Sequence, residues 1–190
     1  DPNSAVAHFQ YGDFLGHMGR SDEGVVHKER AAELEPLQPY FAARVGGAIN
    51  KDPEKALKQI LYAIELDPKY SFSHVMAAGT YREMKEYGKA IEEAKLAKTL
   101  SPEQTWSDVG LSRTYIEAGR PEEARAILDQ LLERSNSRFV PPYHIAMIYK
   151  QLEDKEHALE WLEKAYAIRD PKMPYIKTMG WKKFENDPRF

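Results

Sequence analysis

The sequence contains no cysteine among its 190 residues, which excludes disulfide bonds, thiol nucleophiles and thiolate metal sites. It also lacks an apolar run of about 20 residues, the length that a membrane-spanning helix needs. The formal net charge is only −3, and the charges are spread along the chain rather than gathered in blocks. This distribution lacks the basic patch expected of a protein that binds nucleic acid or an acidic membrane surface.

Motifs that carry catalysis are also missing. The sequence has no glycine-rich phosphate loop, no nucleophile elbow and no HExxH zinc motif. Three acidic residues lie four positions before a histidine, on one helical face, but two ligands make at most half of a metal site. These pairs, which we interpret as surface charge pairs, are Asp13/His17, Glu23/His27 and Glu153/His157. We therefore predict a chain that is not an enzyme and uses no cofactor or metal.

The sequence has instead an internal repeat of about 34 residues. Pairs of amphipathic segments are joined by short turns, and a proline ends most pairs because its ring cannot continue a helix. A small residue recurs early in the second segment of each pair, where we expect two helices to touch: Gly24, Ala56, Ala90, Ala124 and Ala158. Gly24 replaces the usual alanine, which should weaken its helix by roughly 0.5–1 kcal/mol.

This pattern of small, aromatic and proline positions resembles the tetratricopeptide repeat. The resemblance implies an all-α, right-handed superhelical solenoid of about five helix-turn-helix repeats, forming one domain. The last 20 residues lack a helical period but contain Trp181 and Phe184, so we expect them to cap the exposed apolar face of the fifth repeat. The predicted repeats are residues 4–36, 38–68, 70–102, 104–136 and 139–170, and the capping tail is 171–190.

Both ends of the chain resemble the repeat arrays of bacterial multidomain regulators. The opening DPNSAVAHFQYGDFLGHMGRSDEG, the stretch IAMIYKQLEDKEHALEWLEKAYAIRD and the closing NDPRF are similar to these arrays. There the array is linked to a winged-helix DNA-binding domain, a serine/threonine kinase domain or an adenylyl-cyclase domain. The resemblance implies a scaffolding or sensory module of a larger bacterial regulatory protein, expected in the cytoplasm, or in the periplasm if an upstream transmembrane segment exists.

The resemblance also implies that the first helices of the repeats line a concave groove. This groove would combine aromatic and basic side chains, which suits a peptide or helix with apolar anchors and acidic residues. Equally, the aromatic residues could serve only to wedge successive repeats together. The predicted groove residues are Phe9, Asp13, His17, Tyr40, Asn50, Phe72, Val75, Gly79, Arg82, Trp106, Val109, Arg113, Tyr143, Met147 and Lys150.

Several partners remain open at this stage. Self-association through the weakly charged second repeat, the first repeat or the apolar tail is the main alternative to a protein or peptide ligand. An enzyme or an RNA-binding repeat protein is less consistent with the missing motifs and the acidic balance. A chaperone-tail adaptor is rejected, because Arg44 is the one basic residue at the positions that would clamp a terminal carboxylate.

Overall fold

In a computed structural model, residues 2–49, 52–178 and 180–190 are described. Within these ranges the regular structure is helical, with no β-strand. This confirms the predicted all-α fold. The ten α-helices are α1 Ala5–His17, α2 Ser21–Leu34, α3 Pro39–Gly46, α4 Pro53–Leu66, α5 Ser71–Glu83, α6 Tyr87–Leu100, α7 Thr105–Glu117, α8 Pro121–Ser135, α9 Pro142–Gln151 and α10 Lys155–Ala167.

The helices form two compact units, the first ending at Pro102 and the second running from Glu103 to Phe190. In the first unit, α1 packs on α2, α3 on α4 and α5 on α6, and successive hairpins meet through α2 with α3 and α4 with α5. In the second unit, α7 packs on α8 and α9 on α10, with α9 also contacting α7 and α8. Each hairpin lies within one predicted repeat.

Local sequence signals explain where the helices begin and turn. The Ser4 hydroxyl accepts a hydrogen bond from the Ala7 amide at the start of α1, as Asp52 does from Lys55 at the start of α4. The tight turn inside a hairpin places one residue in the left-handed region, with φ between +61° and +78°. This residue is Gly19, Lys85, Gly119 or Glu153 in the four repeats concerned.

Small residues mark the places where the two helices of a hairpin touch. Ala90, Ala124 and Ala158 have no exposed surface, as predicted for the recurring small position. In the first hairpin, α1 and α2 approach so closely at Gly12 and Gly24 that an added Cβ on either glycine would lie 2.6–2.7 Å from the other's carbonyl oxygen. The contact therefore requires glycine on both helices.

The C-terminal tail caps the fifth hairpin, as predicted. It contains two 3-10 helices, Met173–Thr178 and Lys182–Phe184. Trp181 is fully buried and Phe184 nearly so, and both join one apolar cluster with α9 and α10. Among the described residues, no helix has both the length and the apolar character required to cross a membrane.

Candidate functional site

A charged centre joins three helices of the first unit. The Asp13 carboxylate on α1 accepts from Lys28 Nζ of α2 at 2.7 Å and from Arg44 Nη2 of α3 at 2.8 Å. Burial raises the pKa of the Asp13 carboxyl, but the hydrogen bonds and charges of Lys28 and Arg44 outweigh burial and lower it overall. The centre thus holds two cations and one anion.

Two aromatic rings lie beside the Arg44 guanidinium. It lies 5.1 Å from the centroid of the Phe9 ring on α1 and 5.8 Å from that of Phe72 on α5, both within cation–π range. The Phe9 ring also contacts Tyr40, with centroids 5.1 Å apart, and Tyr40 is 40% exposed. Side chains from the first helices of three successive hairpins therefore meet around one arginine.

The same aromatic residues also contribute to packing. Phe9 belongs to a buried cluster with Ala5, Ala31 and Phe41, and Phe72 packs against the alanines that join α3 to α4. About a third of the Arg44 side chain is exposed, whereas its Nε is buried without a hydrogen-bond partner in the described part of the chain. Substituting these rings would therefore change the packing of the interior as well as any ligand contact. The effect of such a substitution on folding must be measured separately from its effect on binding.

The other described groove residues that were predicted in the first unit lie on α5 and at the end of α1. Val75, Gly79 and Arg82 are half-buried on α5, and Gly79 has open space where a Cβ would be. His17 is exposed at the end of α1, and its Nδ1 lies 2.8 Å from the backbone oxygen of Asp13. The predicted residue Asn50 lies outside the described residues.

In the second unit, the predicted groove residues on α7, the first helix of the fourth hairpin, differ in exposure. Val109 is buried, while Trp106 is 39% exposed and Arg113 pairs with Glu117 at 2.7 Å. The Trp106 ring packs on His144 with centroids 4.2 Å apart, and Lys172 of the tail lies 5.6 Å from its centroid. Trp106 therefore has partners within its own unit.

The predicted groove residues of the fifth repeat lie beneath the C-terminal tail. Tyr143 is fully buried, and its hydroxyl accepts from Trp181 Nε1 at 3.4 Å. Met147 packs against the same cluster, and Lys150 Nζ lies 4.7 Å from the centroid of the Trp181 ring. Burial, followed by the charge of Arg113, lowers the pKa of Lys150. The tail thus occupies the first-helix face of this repeat.

The acid–histidine pairs that share a helical face are engaged with other residues. Asp13 bonds Lys28 and Arg44, Glu23 bonds Arg20 at 2.6 Å, and His157 bonds Asp154 at 2.8 Å. Over the described ranges, no three histidine or acidic side chains come together in a metal-binding group. In two of the three pairs the acid therefore bonds another cation, and in the third the histidine bonds Asp154.

Arg44, Lys28 and Trp181 escaped the sequence reasoning because their positions depend on packing between elements. Lys28 occupies the register position that Ala94 holds in the third repeat, so a lysine there was the available signal for a charged centre. Trp181 was assigned to a cap, but nothing in an aperiodic tail indicates that it covers Tyr143 and Lys150 in particular.

Comparisons with known proteins agree with the observed fold. Residues 81–144 match a family model described as tetratricopeptide repeat, and residues 143–170 match a second with the same description. A tetratricopeptide repeat protein from Thermus thermophilus superposes with a TM-score of 0.71 at 19% identity, covering 92% of this chain and 96% of that one.

Two further proteins are similar. Anaphase-promoting complex subunit 3 from Schizosaccharomyces pombe is 25% identical over 156 residues, which are 81% of this chain and 24% of that protein, so the chain spans about a quarter of that relative. The first tetratricopeptide repeat domain of Spaghetti, solved with an HSP90 peptide, has a TM-score of 0.55 at 15% identity, covering 63% of this chain and 96% of that one. The matches over residues 81–170 and the superposition on known structures show that this chain has the tetratricopeptide repeat fold.

Proposed function

We propose that this chain is a non-catalytic protein-interaction module whose first unit binds a peptide or helix. The observation that carries the proposal is that the Arg44 guanidinium lies within cation–π range of both Phe9 and Phe72, so that first helices of three successive hairpins meet there. Repeat arrays of this kind present extended surfaces for binding, and arginine and tyrosine are enriched among the residues that dominate interface energies.

The charges around Arg44 indicate which chemical groups a ligand should carry. Lys28 and Arg44 carry two positive charges against the single negative charge of Asp13, and part of each side chain reaches solvent. A ligand carboxylate near them would gain from the excess positive charge, while an apolar ligand side chain could pack on the exposed part of Tyr40. The expected ligand therefore carries an acidic residue close to an apolar anchor.

The proposal extends to the context of the module. The resemblance of both chain ends to repeat arrays of bacterial regulators supports a place in a larger bacterial regulatory protein, where the module would hold a regulatory partner. Determining the complete reading frame tests this part, since an attached effector domain would support it. A frame that encodes no domain other than helical repeats would contradict it.

A peptide-display selection on the intact chain tests the binding surface. Selected peptides should combine acidic and apolar residues, and fluorescence polarisation should show roughly tenfold weaker binding to Arg44→Gln and to Tyr40→Ala. Leu96→Ala is the matched control, because Leu96 is similarly exposed at 41% but lies on the second helix of its hairpin. Thermal unfolding of each variant separates lost binding from lost folding.

Two outcomes would overturn the proposal. Folded Arg44→Gln and Tyr40→Ala variants that bind the selected peptides as tightly as the unaltered chain would exclude this surface. A double variant, Phe72→Ala with Trp106→Ala, that folds and still captures every partner from the source organism would exclude the predicted groove as a whole. Light scattering at two concentrations distinguishes self-association, which predicts a mass that rises with concentration.

A further inference from the structure

A stripe of exposed apolar residues runs along the outer side of α1 to the residue that follows it. Ala7, Tyr11, Phe14 and Met18 are spaced by four, three and four residues, so they share one side of the helix. Tyr11 is 47% exposed, Phe14 56% and Met18 63%, and the Tyr11 and Phe14 rings stack with their centroids 6.3 Å apart. Large apolar side chains exposed together in this way indicate an interaction surface.

The same helix position is buried in later hairpins. Val45 on α3, Ala77 on α5 and Ile145 on α9 hold the register position of Tyr11. None of the three is more than 1% exposed. Each of these helices packs against the preceding hairpin of its own unit, α3 on α2, α5 on α4, and α9 on α7 and α8. The stripe on α1 therefore has the character of a surface that another helix covers.

The outer side of α1 carries no formal charge. All residues of this helix are described, and Asp13 is the one acidic or basic residue among them. It lies on the opposite side of α1, where it bonds Lys28 and Arg44. A helix side that faces water normally carries charged residues. Their absence here lets two copies of the stripe meet without repulsion between like charges.

The stripe is also complementary to itself. When two α1 helices lie antiparallel about a two-fold axis at the middle of the stripe, Tyr11 of one copy is opposite Phe14 of the other. Ala7 is then opposite Met18. The small side chain of Ala7 borders an open cavity of about 170 Å³, which the flexible side chain of a methionine can fill. We propose that two copies of this chain pair through the stripe, with their α1 helices antiparallel.

The other end of the chain disfavours head-to-tail stacking of copies. The C-terminal tail packs on α9 and α10, so a second copy would have to displace it. A two-fold pairing is closed and ends at a dimer. This inference goes beyond the proposed binding of a peptide, because Arg44 and Phe9 of the charged centre meet on the opposite side of α1 from the stripe.

Sedimentation equilibrium of the full chain tests the pairing, and the mass should rise with concentration to twice that of one chain. Phe14→Glu and Tyr11→Lys should each weaken the dimer about a hundredfold or more, because each buries an unpaired charge between the copies. An equimolar mixture of the two variants should restore the dimer, since the new carboxylate of one copy then faces the new ammonium of the other. Tyr166→Glu is the control, because Tyr166 is 74% exposed on α10 and should not affect pairing.

Several results would overturn the inference. One is a chain that stays monomeric at every concentration, and another is a dimer that both variants leave intact. A mixture that fails to restore the dimer, although circular dichroism shows both variants folded, would also exclude the antiparallel arrangement. A product of the complete reading frame that stays monomeric while this chain dimerises would show that another segment covers the stripe. Arg44→Gln should weaken peptide binding and leave the dimer intact, so the two proposals fail independently.

Discussion

The indole of Trp181 packs against the phenol of Tyr143, with ring centroids 6.2 Å apart, and neither side chain is exposed to solvent. Trp181 also meets the Phe184 ring at 5.0 Å and receives Lys150 Nζ over its face. The tail thus supplies to the last hairpin the apolar cover that interior hairpins receive from a neighbour. Trp181 is fully buried within this cover, and its removal should therefore be costly.

Replacing Trp181 by alanine should lower the free energy of unfolding by about 3–5 kcal/mol, because it leaves a cavity against Tyr143 and Phe184. Urea denaturation followed by circular dichroism measures this loss. Tyr166→Ala is the control, since Tyr166 is 74% exposed on α10 and its removal should change stability by less than about 0.5 kcal/mol. Equal stability of the two variants would show that the tail does not cap the fold.

Replacing Gly24 by alanine should destabilise the chain, although alanine has the higher helix propensity. The new Cβ would lie 2.6 Å from the Gly12 carbonyl oxygen, so α1 and α2 must separate, at a cost of about 1–3 kcal/mol. Gly16→Ala is the matched control: its Cβ meets nothing within 4 Å, and the substitution should gain up to about 1 kcal/mol. Thermal unfolding of both variants should show changes in stability of opposite sign. A Gly24→Ala variant that is more stable than the unaltered chain would refute the close contact.

The Gly24 contact also shows which part of the helix packing can be predicted from the sequence and which part cannot. The 34-residue period predicts hairpins and their small contact residues, because each repeat packs its two helices together at the same positions with the same residue types. Alanine at this position in four repeats made Gly24 look like a weak substitute. The period does not specify how closely the two backbones approach. Here a Cβ added to Gly24 would lie 2.6 Å from the Gly12 carbonyl oxygen, which reverses the expectation.

The candidate site was predictable to a similar extent. The register placed Phe9, Asp13, Tyr40 and Phe72 on first helices, and the structure brings them together. It did not predict that Arg44 lies near both phenylalanine rings and bonds Asp13, because that arrangement depends on side-chain rotamers in three hairpins that pack together. Periodicity thus identifies the face, whereas the chemistry on that face depends on individual substitutions within the repeat.

Replacing Asp13 by asparagine should lower the free energy of unfolding by about 1 kcal/mol in low salt, because Lys28 and Arg44 lose their shared anion. The three side chains are partly exposed, so high salt should shrink the difference between the variant and the unaltered chain. Urea denaturation at two salt concentrations measures both effects. Glu33→Gln, which removes an exposed pair with Arg30, should change little, and an Asp13→Asn chain of unaltered stability in low salt would contradict the prediction.

Acid should destabilise the second unit through His144. Burial lowers the pKa of His144 from 6.5 to about 4, while the charge of Asp170 raises it and that of Lys172 lowers it further. The unfolded chain therefore binds a proton at this residue below about pH 6.5, whereas the folded chain stays neutral there until about pH 4. Because the unfolded state gains the proton first, the contribution of His144 to stability falls as the pH falls through this window.

The size of this effect follows from the shift. A difference of between two and three pKa units corresponds to about 3 kcal/mol, so the unaltered chain should lose about that much more stability between pH 7 and pH 4 than His144→Gln does. Urea denaturation at successive pH values measures the difference between the two chains, and acidic residues common to both cancel. The Thr105 hydroxyl, which bonds His144 Nδ1, can bond the glutamine amide as well. Parallel pH profiles would show that His144 takes up its proton equally in the folded and unfolded chains.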